Sequence, residues 1–170
     1  DDCLLVTSIL NKQNEHESII NKFFNKLDSS LNPFINQNTA LFEEGIFIYI
    51  KEKNIKKTLD FEINHHVFKN GKDSSIHFPR IFIYLDNNVD VKILEKFNFN
   101  DKEVPIFQNY VNEVYINKNS SLKYSIIQNQ DSINQINHWN INQLQSSHLQ
   151  INYFGKSSEL IRNNFDINLL

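Results

Sequence analysis

Apolar and polar residues alternate with a period of two through most of the chain from Gly45 onward. Successive side chains of a β-strand point to opposite faces, so this alternation predicts strands. Four similar stretches, about 30 residues apart, each read as strand, polar turn and strand: IFIYIKEKNIKKTLDFEI, IFIYLDNNVDVKILEKF, EVYINKNSSLKYSIIQ and, more faintly, INQLQSSHLQINYFG. One such pair cannot bury its apolar side alone, so copies must stack. The pattern predicts a mainly β protein built as a β-solenoid, or β-helix.

An antiparallel sandwich also has short strands at regular intervals and is the competing architecture. The repeat itself favours the solenoid. Alignment of the copies brings Tyr49, Tyr84 and Tyr115 to the same position. We expect this tyrosine ladder to pack between rungs, beneath a covering helix. The alternative is a surface on which sugars or bases stack.

Asparagine is frequent in the polar turns KEKN, DNN and NKNSS. Its side chain bonds its own backbone, and it tolerates the left-handed conformation that tight corners require. The chain has only three Gly, so we expect asparagine to take the role at the corners that glycine usually has.

The first part of the chain has a different period. Apolar positions between residues 4 and 27 recur at steps of three and four, which predicts a helix; they are Leu5, Ile9, His16, Ile20, Phe23 and Leu27. His16 on this face is expected to be a packed core residue, not a ligand. Residues 34–44 are predicted to form a connector. The chain is thus divided into residues 1–37, an N-terminal helical segment with its connector, and 38–170, a partial β-helix core.

Composition narrows the class of protein. A chain of 170 residues is long enough for one domain with a core. The net charge is −3 and there is no basic block, so we expect no nucleic-acid partner. No apolar run approaches the ~20 residues that cross a bilayer, and no secretory signal is visible, so we expect no membrane association. The absence of Met indicates a fragment of a longer protein.

The single cysteine, Cys3, cannot form an internal disulfide, which fits a reducing compartment. We expect it to be a small buried apolar residue. The adjacent His65 and His66 should point to opposite faces of a strand, so they cannot readily share a metal. Neither a C-x-x-C nor an H-x-x-x-H pattern occurs.

A carbohydrate-active solenoid enzyme would need carboxylates on adjacent rungs. The candidates do not recur at one aligned position; they are Asp60, Asp86, Asp90, Glu95 and Glu113. We therefore expect no enzyme activity, and a carbohydrate-active enzyme remains the alternative from another class.

Three segments resemble one family. In NTALFEEGIFIYIKEKNIKKTL the matching residues are Asn38, Ala40, Phe42, Gly45, Ile48 and Ile50. In NEVYINKNSSLKYSIIQNQ they are Glu113, Asn119, Leu122, Tyr124 and Gln128. In SSELIRNNFDINL they are Leu160, Arg162 and Asn163, with two serines where the family has glycines. Their order and spacing resemble the SufB/SufD family of the SufBCD iron–sulfur cluster assembly complex.

Within that family the chain resembles SufD more than its paralogue SufB, which typically has Gln-Asn-Trp where this chain has Gln128-Asn129-Gln130. The resemblance implies a right-handed parallel β-helix flanked by helical regions. It also implies a non-catalytic scaffold subunit that pairs with SufB through the β-helix and with the SufC ATPase through a missing C-terminal region. An iron–sulfur cluster or iron would sit at the SufB interface of the full complex, with no cofactor on this fragment. The expected location is the cytoplasm or a plastid stroma.

The resemblance supplies three weak site candidates: Gln128, Arg162 and Asn163. The region of SufB-like chains that corresponds to Gln128 lies near an internal path for sulfur, but here we expect a polar residue capping a rung. Arg162 is expected to pair inside the stack and Asn163 to close a corner. No metal ligand is carried over, and a SufB-like cluster scaffold remains an alternative.

Overall fold

The computed structural model describes residues 3–10, 16–27, 32–52, 58–66, 75–99, 106–130, 133–157 and 160–170. Two helices occur in these ranges, α1 (Glu17–Phe23) and α2 (Pro33–Leu41). The strands are β1 (Leu4–Ser8), β2 (Gly45–Ile50), β3 (Leu59–His65), β4 (Ser75–His77), β5 (Arg80–Leu85), β6 (Asp90–Phe99), β7 (Ile106–Ile116), β8 (Ser121–Gln130), β9 (Ile133–Gln143), β10 (His148–Ser157) and β11 (Leu160–Leu169).

The strands form two sheets, and the chain passes from one to the other at each polar corner. The first sheet has the order β1-β2-β5-β7-β9-β11, with β4 also paired to β7. The second has the order β10-β8-β6-β3. Among the strands of these described ranges, every pairing is parallel except that of β1 with β2. This confirms the mainly β prediction, is consistent with a β-helix, and excludes the antiparallel sandwich. The right hand of the helix stays a prediction.

The core lies between the two sheets. Equivalent residues of successive rungs stand in register, as in the column Ile83, Val114 and Ile141 of the first sheet. Opposite them, Val91 and Leu122 stand in register on the second sheet. These side chains are buried in one apolar cluster. Burial of this shared interior stabilises the stack, since no rung has a core of its own.

Asparagines stack at the corners as the turn composition predicted. Asn88 and Asn119 adopt positive φ of 57° and 59°. The side-chain amide of Asn119 donates to Asn88 Oδ1 over 3.1 Å. The corner of the next rung has Ser146 at φ 59°.

The predicted helix over residues 4–27 is wrong at its start. Leu4–Ser8 is the strand β1, which pairs antiparallel with β2 in the register Leu5 to Tyr49. Helical residues begin only at Glu17, and residues 11–15 lie outside the described part of the chain. β1 covers the open edge of β2 and pairs with the backbone N–H and C=O groups along it. This pairing stabilises the strand more than the spacing of a few apolar residues favours a helix.

The predicted connector over residues 34–44 contains most of α2. Asn32 caps this helix, because its Oδ1 accepts from the backbone N–H of Phe34 over 3.0 Å, and Pro33 occupies the first turn. Asn-Pro therefore acts here as a helix start signal.

The tyrosine ladder exists and is covered by α1. Tyr49, Tyr84 and Tyr115 stand in register on adjacent strands. The ring of Phe23 lies 5.2 Å from that of Tyr84 and 4.9 Å from that of Tyr115, between ring centroids. The His16 ring meets Tyr49 edge-on at 4.7 Å. These contacts confirm the packing interpretation of the ladder, and His16 packs against it as a residue of intermediate exposure.

Cys3 has intermediate exposure and a free thiol, so its predicted burial is only partial. Neither α1 nor α2 has the length or apolar character of a membrane-spanning helix, and no other helix occurs in the described ranges.

Candidate functional site

A cleft of about 570 Å³ opens beside β4, where the described part of the chain adds no second strand next to β4. Strand β4 pairs with β7, but β2 starts only opposite Arg80, so it adds no pairing beside β4. Three histidines and two glutamates converge here. The cleft is lined by Leu41, Glu43, Glu44, His65, His66, Ile76, His77, Phe78, Pro79 and Gln108. His65, the last residue of β3, and His66, the next residue, both line the cleft.

A buried carboxylate lies behind the cleft in the interior of the stack. Glu95 is 0 % exposed. Its Oε1 accepts from the Tyr110 hydroxyl over 2.6 Å and lies 2.8 Å from His65 Nε2. Its Oε2 accepts from the Tyr124 hydroxyl over 3.0 Å, and Asn112 Nδ2 donates to that hydroxyl over 2.6 Å. Three partners thus compensate the loss of water around this carboxyl group.

The two tyrosines of this cluster are held as neutral donors. Burial removes the solvation of a phenolate and raises the pKa of Tyr110 and of Tyr124 well above the usual range, and the nearby Glu95 adds to the effect. The His65 ring stacks on Phe97 at 4.1 Å between centroids. The cluster therefore connects the cleft to the interior through His65, with fixed donors and acceptors.

A line of side-chain amides makes a second connection between the cleft and the interior. Gln128 Nε2 donates to Gln135 Oε1 over 3.0 Å, and Gln135 Nε2 donates to Gln108 Oε1 over 3.3 Å at the cleft. Asn163 Nδ2 donates to Gln128 Oε1 over 3.4 Å. Gln128 is fully buried. It lies inside the stack and does not cap a rung, so that part of the prediction is wrong; a functional role for it stays a prediction.

Arg162 and Asn163 also differ from expectation. Arg162 is exposed and its Nε donates to Asn164 Oδ1 over 3.2 Å on the same strand, so it does not pair inside the stack. Asn163 lies within β11, not at a corner, and its Oδ1 accepts from Asn137 Nδ2 over 2.8 Å. Alternation along a strand explains both results, since it turns Arg162 outward and Asn163 inward.

Sequence reasoning missed the residue that fastens the helices to the first sheet. Arg80 is buried and its Nε donates to Glu113 Oε1 over 3.1 Å. One terminal nitrogen donates to Asn38 Oδ1 over 3.0 Å, and the other to Asn25 Oδ1 over 3.1 Å. The guanidinium lies over the Phe42 ring at 5.9 Å. Three residues of the family-like segments thus meet on one arginine, which no local signal indicated.

The five carboxylates of the enzyme alternative lie in separate environments. Glu95 is inside the stack, and Glu113 is on the outer face under the helices. Asp86 accepts from the Tyr49 hydroxyl over 3.0 Å, and Asp90 accepts from Thr58 over 2.7 Å. Asp60 is exposed on the second sheet.

Burial also shifts the pKa of Glu113. Loss of water around the buried carboxyl group raises its pKa, and the Arg80 guanidinium lowers it, so the ion pair offsets part of the desolvation penalty. Among the described residues, no group of three His, Cys, Asp or Glu side chains is arranged to hold a metal ion.

A family model described as "SUF system FeS cluster assembly, SufBD core domain" matches residues 67–170. The match covers more than half of the chain and all strands from β4 onward. The chain belongs to this family, and its class is that of proteins of SUF-type iron–sulfur cluster assembly. No curated protein matches the chain.

Proposed function

We propose that this chain is a SufD-type subunit of the SufBCD complex that acts as a scaffold and has no catalysis of its own. The observation that carries the proposal is the family match over β4–β11, which coincides with the parallel rungs of the stack. A stack of this kind is a rigid rod with two long faces and an edge, suited to holding partners.

The assignment to SufD over SufB rests on sequence. Gln128-Asn129-Gln130 stands where SufB-like chains typically have Gln-Asn-Trp. In this proposal SufC binds outside the present chain, and the iron–sulfur cluster is assembled at the interface with SufB. The complex would work in the cytoplasm or in a plastid stroma.

Co-purification tests the proposal. The protein is expressed with SufB and SufC from the same source, and a tag on this protein is used for recovery. We expect SufB and SufC in stoichiometric amounts. Recovery of neither partner with a folded protein contradicts the proposal. A parallel expression uses SufD and SufC as the partners. If this chain forms the complex there and not with SufB, it takes the place of SufB and is a SufB-type subunit.

A further inference from the structure

Three side-chain rings connect the interior of the stack to the cleft. Trp139 is fully buried, and its ring centroid lies 5.7 Å from that of Tyr110. The Tyr110 ring in turn lies 5.3 Å from the His65 ring, again between centroids. His65 lines the cleft. Trp139, Tyr110 and His65 thus form one series of edge-to-face ring contacts that ends at the cleft.

Strand pairing fixes the separation of Trp139 and Tyr110. Tyr110 of β7 stands in register with Asn137 of β9, two residues before Trp139. The two rings are therefore diagonal neighbours on adjacent strands, at a separation that large side chains bridge. Both side chains are 0 % exposed, so the surrounding core holds them in place. The two rings consequently keep a constant separation in the folded protein.

The Tyr110 hydroxyl has a base within direct reach. It donates to Glu95 Oε1 over 2.6 Å, and the same oxygen lies 2.8 Å from His65 Nε2. A group that takes a proton must lie within about 2.6–3.2 Å of the atom that gives it. Burial and the nearby Glu95 raise the pKa of Tyr110 well above the usual range, so the intact phenol keeps its proton at neutral pH. Glu95 is thus placed to take this proton only when the phenol becomes a stronger acid.

Loss of one electron is the event that makes a phenol a strong acid. The oxidised ring carries a positive charge, and burial disfavours that charge unless the hydroxyl proton leaves. At Tyr110 the proton moves along an existing hydrogen bond to Glu95, so it does not have to cross the apolar core. A phenol that gives up its proton and electron together is easier to oxidise than an indole. Tyr110 is therefore positioned as an electron donor to an oxidised Trp139.

We propose that Tyr110 is a redox-active tyrosine that reduces an oxidised Trp139. A one-electron oxidising radical, such as the carbonate radical, or absorbed light removes an electron from Trp139 and leaves the indole radical cation. One electron then passes from Tyr110 to Trp139, which returns to the neutral indole. The O–H bond of Tyr110 breaks, its proton forms a new O–H bond at Glu95 Oε1, and Tyr110 becomes a neutral tyrosyl radical. The relay moves the oxidised centre to the ring beside His65 and the cleft.

Tyr124 is the natural comparison for this role. It is also 0 % exposed, and its hydroxyl donates to Glu95 Oε2 over 3.0 Å. Among the described residues, however, the rings in contact with Trp139 are those of Tyr110 and Phe165. A phenyl ring has no hydroxyl proton to give and does not reduce an indole radical. We therefore expect Tyr110, and not Tyr124, to supply the electron.

Flash photolysis tests the electron transfer, because the chain has a single tryptophan. A laser pulse at a wavelength that tryptophan absorbs and tyrosine does not ionises Trp139, and nitrate takes up the ejected electron. We expect the absorbance of the indole radical to decay while that of a tyrosyl radical rises at the same rate. In Tyr110→Phe this decay should be at least tenfold slower, whereas Tyr124→Phe should keep the unsubstituted rate. Equal decay in Tyr110→Phe and the unsubstituted protein overturns the proposal, and so does a loss of the fast decay in Tyr124→Phe alone.

The same measurement tests the proton transfer. Glu95→Gln keeps the size of the side chain but removes the carboxylate, and it should slow the rise of the tyrosyl radical at least tenfold. Glu62→Gln makes the same change at an exposed position of β3 and should leave the rate unchanged. In fully exchanged D2O the unsubstituted protein should transfer the electron about twofold more slowly, because the proton moves with it. An equal rate in D2O and H2O overturns the role of Glu95, and this result decides the point even if Glu95→Gln fails to fold.

Discussion

Arg80 and Glu113, 33 residues apart in the chain, form a salt bridge of 2.5 Å in which both side chains are buried. The pair joins two adjacent strands of the first sheet on the face that α1 and α2 cover. A buried charge whose partner is removed costs far more than an exposed one, because no water replaces the lost interaction.

Glu113→Gln should therefore destabilise the protein by about 3–5 kcal/mol, since the guanidinium would stay buried without a counterion. Chemical denaturation checks this value. The control is Glu62→Gln, which breaks the exposed pair of Glu62 and Lys96. Its transition midpoint should stay close to that of the unsubstituted protein. Similar losses in the two variants would show that the buried pair has no special role.

The buried hydrogen bonds of Glu95 can be tested at Tyr124. Tyr124→Phe keeps the ring but removes the donor to Glu95 and the acceptor for Asn112. We expect a loss of about 1–3 kcal/mol in the free energy of unfolding, because both partners stay buried and unsatisfied. Tyr153→Phe, at an exposed ring, is the control. An unchanged stability of Tyr124→Phe would mean that these two hydrogen bonds make no net contribution to the free energy of unfolding.

Alkaline titration should separate folded from unfolded tyrosines. Burial raises the pKa of Tyr49 to about 12, with a contribution from its bond to Asp86. Burial also raises the pKa of Tyr84 and Tyr115. A raised pKa stabilises the folded state below pH ~10, and this stability is lost as pH rises through the folded value. Tyrosinate absorbance of the folded protein should therefore appear at higher pH than that of the unfolded chain, and titration of the three ladder tyrosines at the same pH in both states would contradict the ladder's packing.

His138 should make the fold sensitive to acid. It lies buried on the outer face of the first sheet, with Nδ1 accepting from Asn32 Nδ2 over 3.3 Å and Nε2 3.0 Å from Asp166. Burial lowers its pKa; Arg80 lowers it further, and Asp166 opposes this. The unfolded chain then binds the proton more readily, so this part of the stability is present above pH ~6.5 and is lost below it.

The midpoint of denaturation should thus fall between pH 7.5 and 5.5 by more in the unsubstituted protein than in His138→Gln. His148→Gln, at an exposed position, should retain the full dependence. An identical fall in His138→Gln would place the acid sensitivity elsewhere.

Local pattern was enough to predict the rungs. Alternation identified the strands of each repeat, and the position of three tyrosines predicted their register before any contact was known. The asparagine turns were recognised because left-handed φ is a property of single residues. The start of the chain was misjudged because its spacing fits a helix, while the open edge of β2 is a partner that sequence spacing does not show.

The candidate site was much less predictable. Gln128 was noticed only through a family resemblance, and its direction into the interior depends on pairing with Gln135 from another strand. Glu95 was considered as an enzyme carboxylate, yet its partners Tyr110 and His65 are 15 and 30 residues away. Such clusters join side chains that are not regularly spaced along the chain, so no sequence motif predicts them.

The sequence by itself determined that this protein is a stack of short strands with polar corners, because period-two alternation and turn preference act over a few residues. It also carried enough of the family pattern to indicate iron–sulfur cluster assembly. Only the tertiary structure decided that Arg80 holds the helices and that a cleft opens beside β4. It also decided that two series of side-chain hydrogen bonds, one through Glu95 and one through Gln128, lead from the cleft into the interior. Burial and long-range pairing set those features, and both depend on which rungs lie next to each other in space.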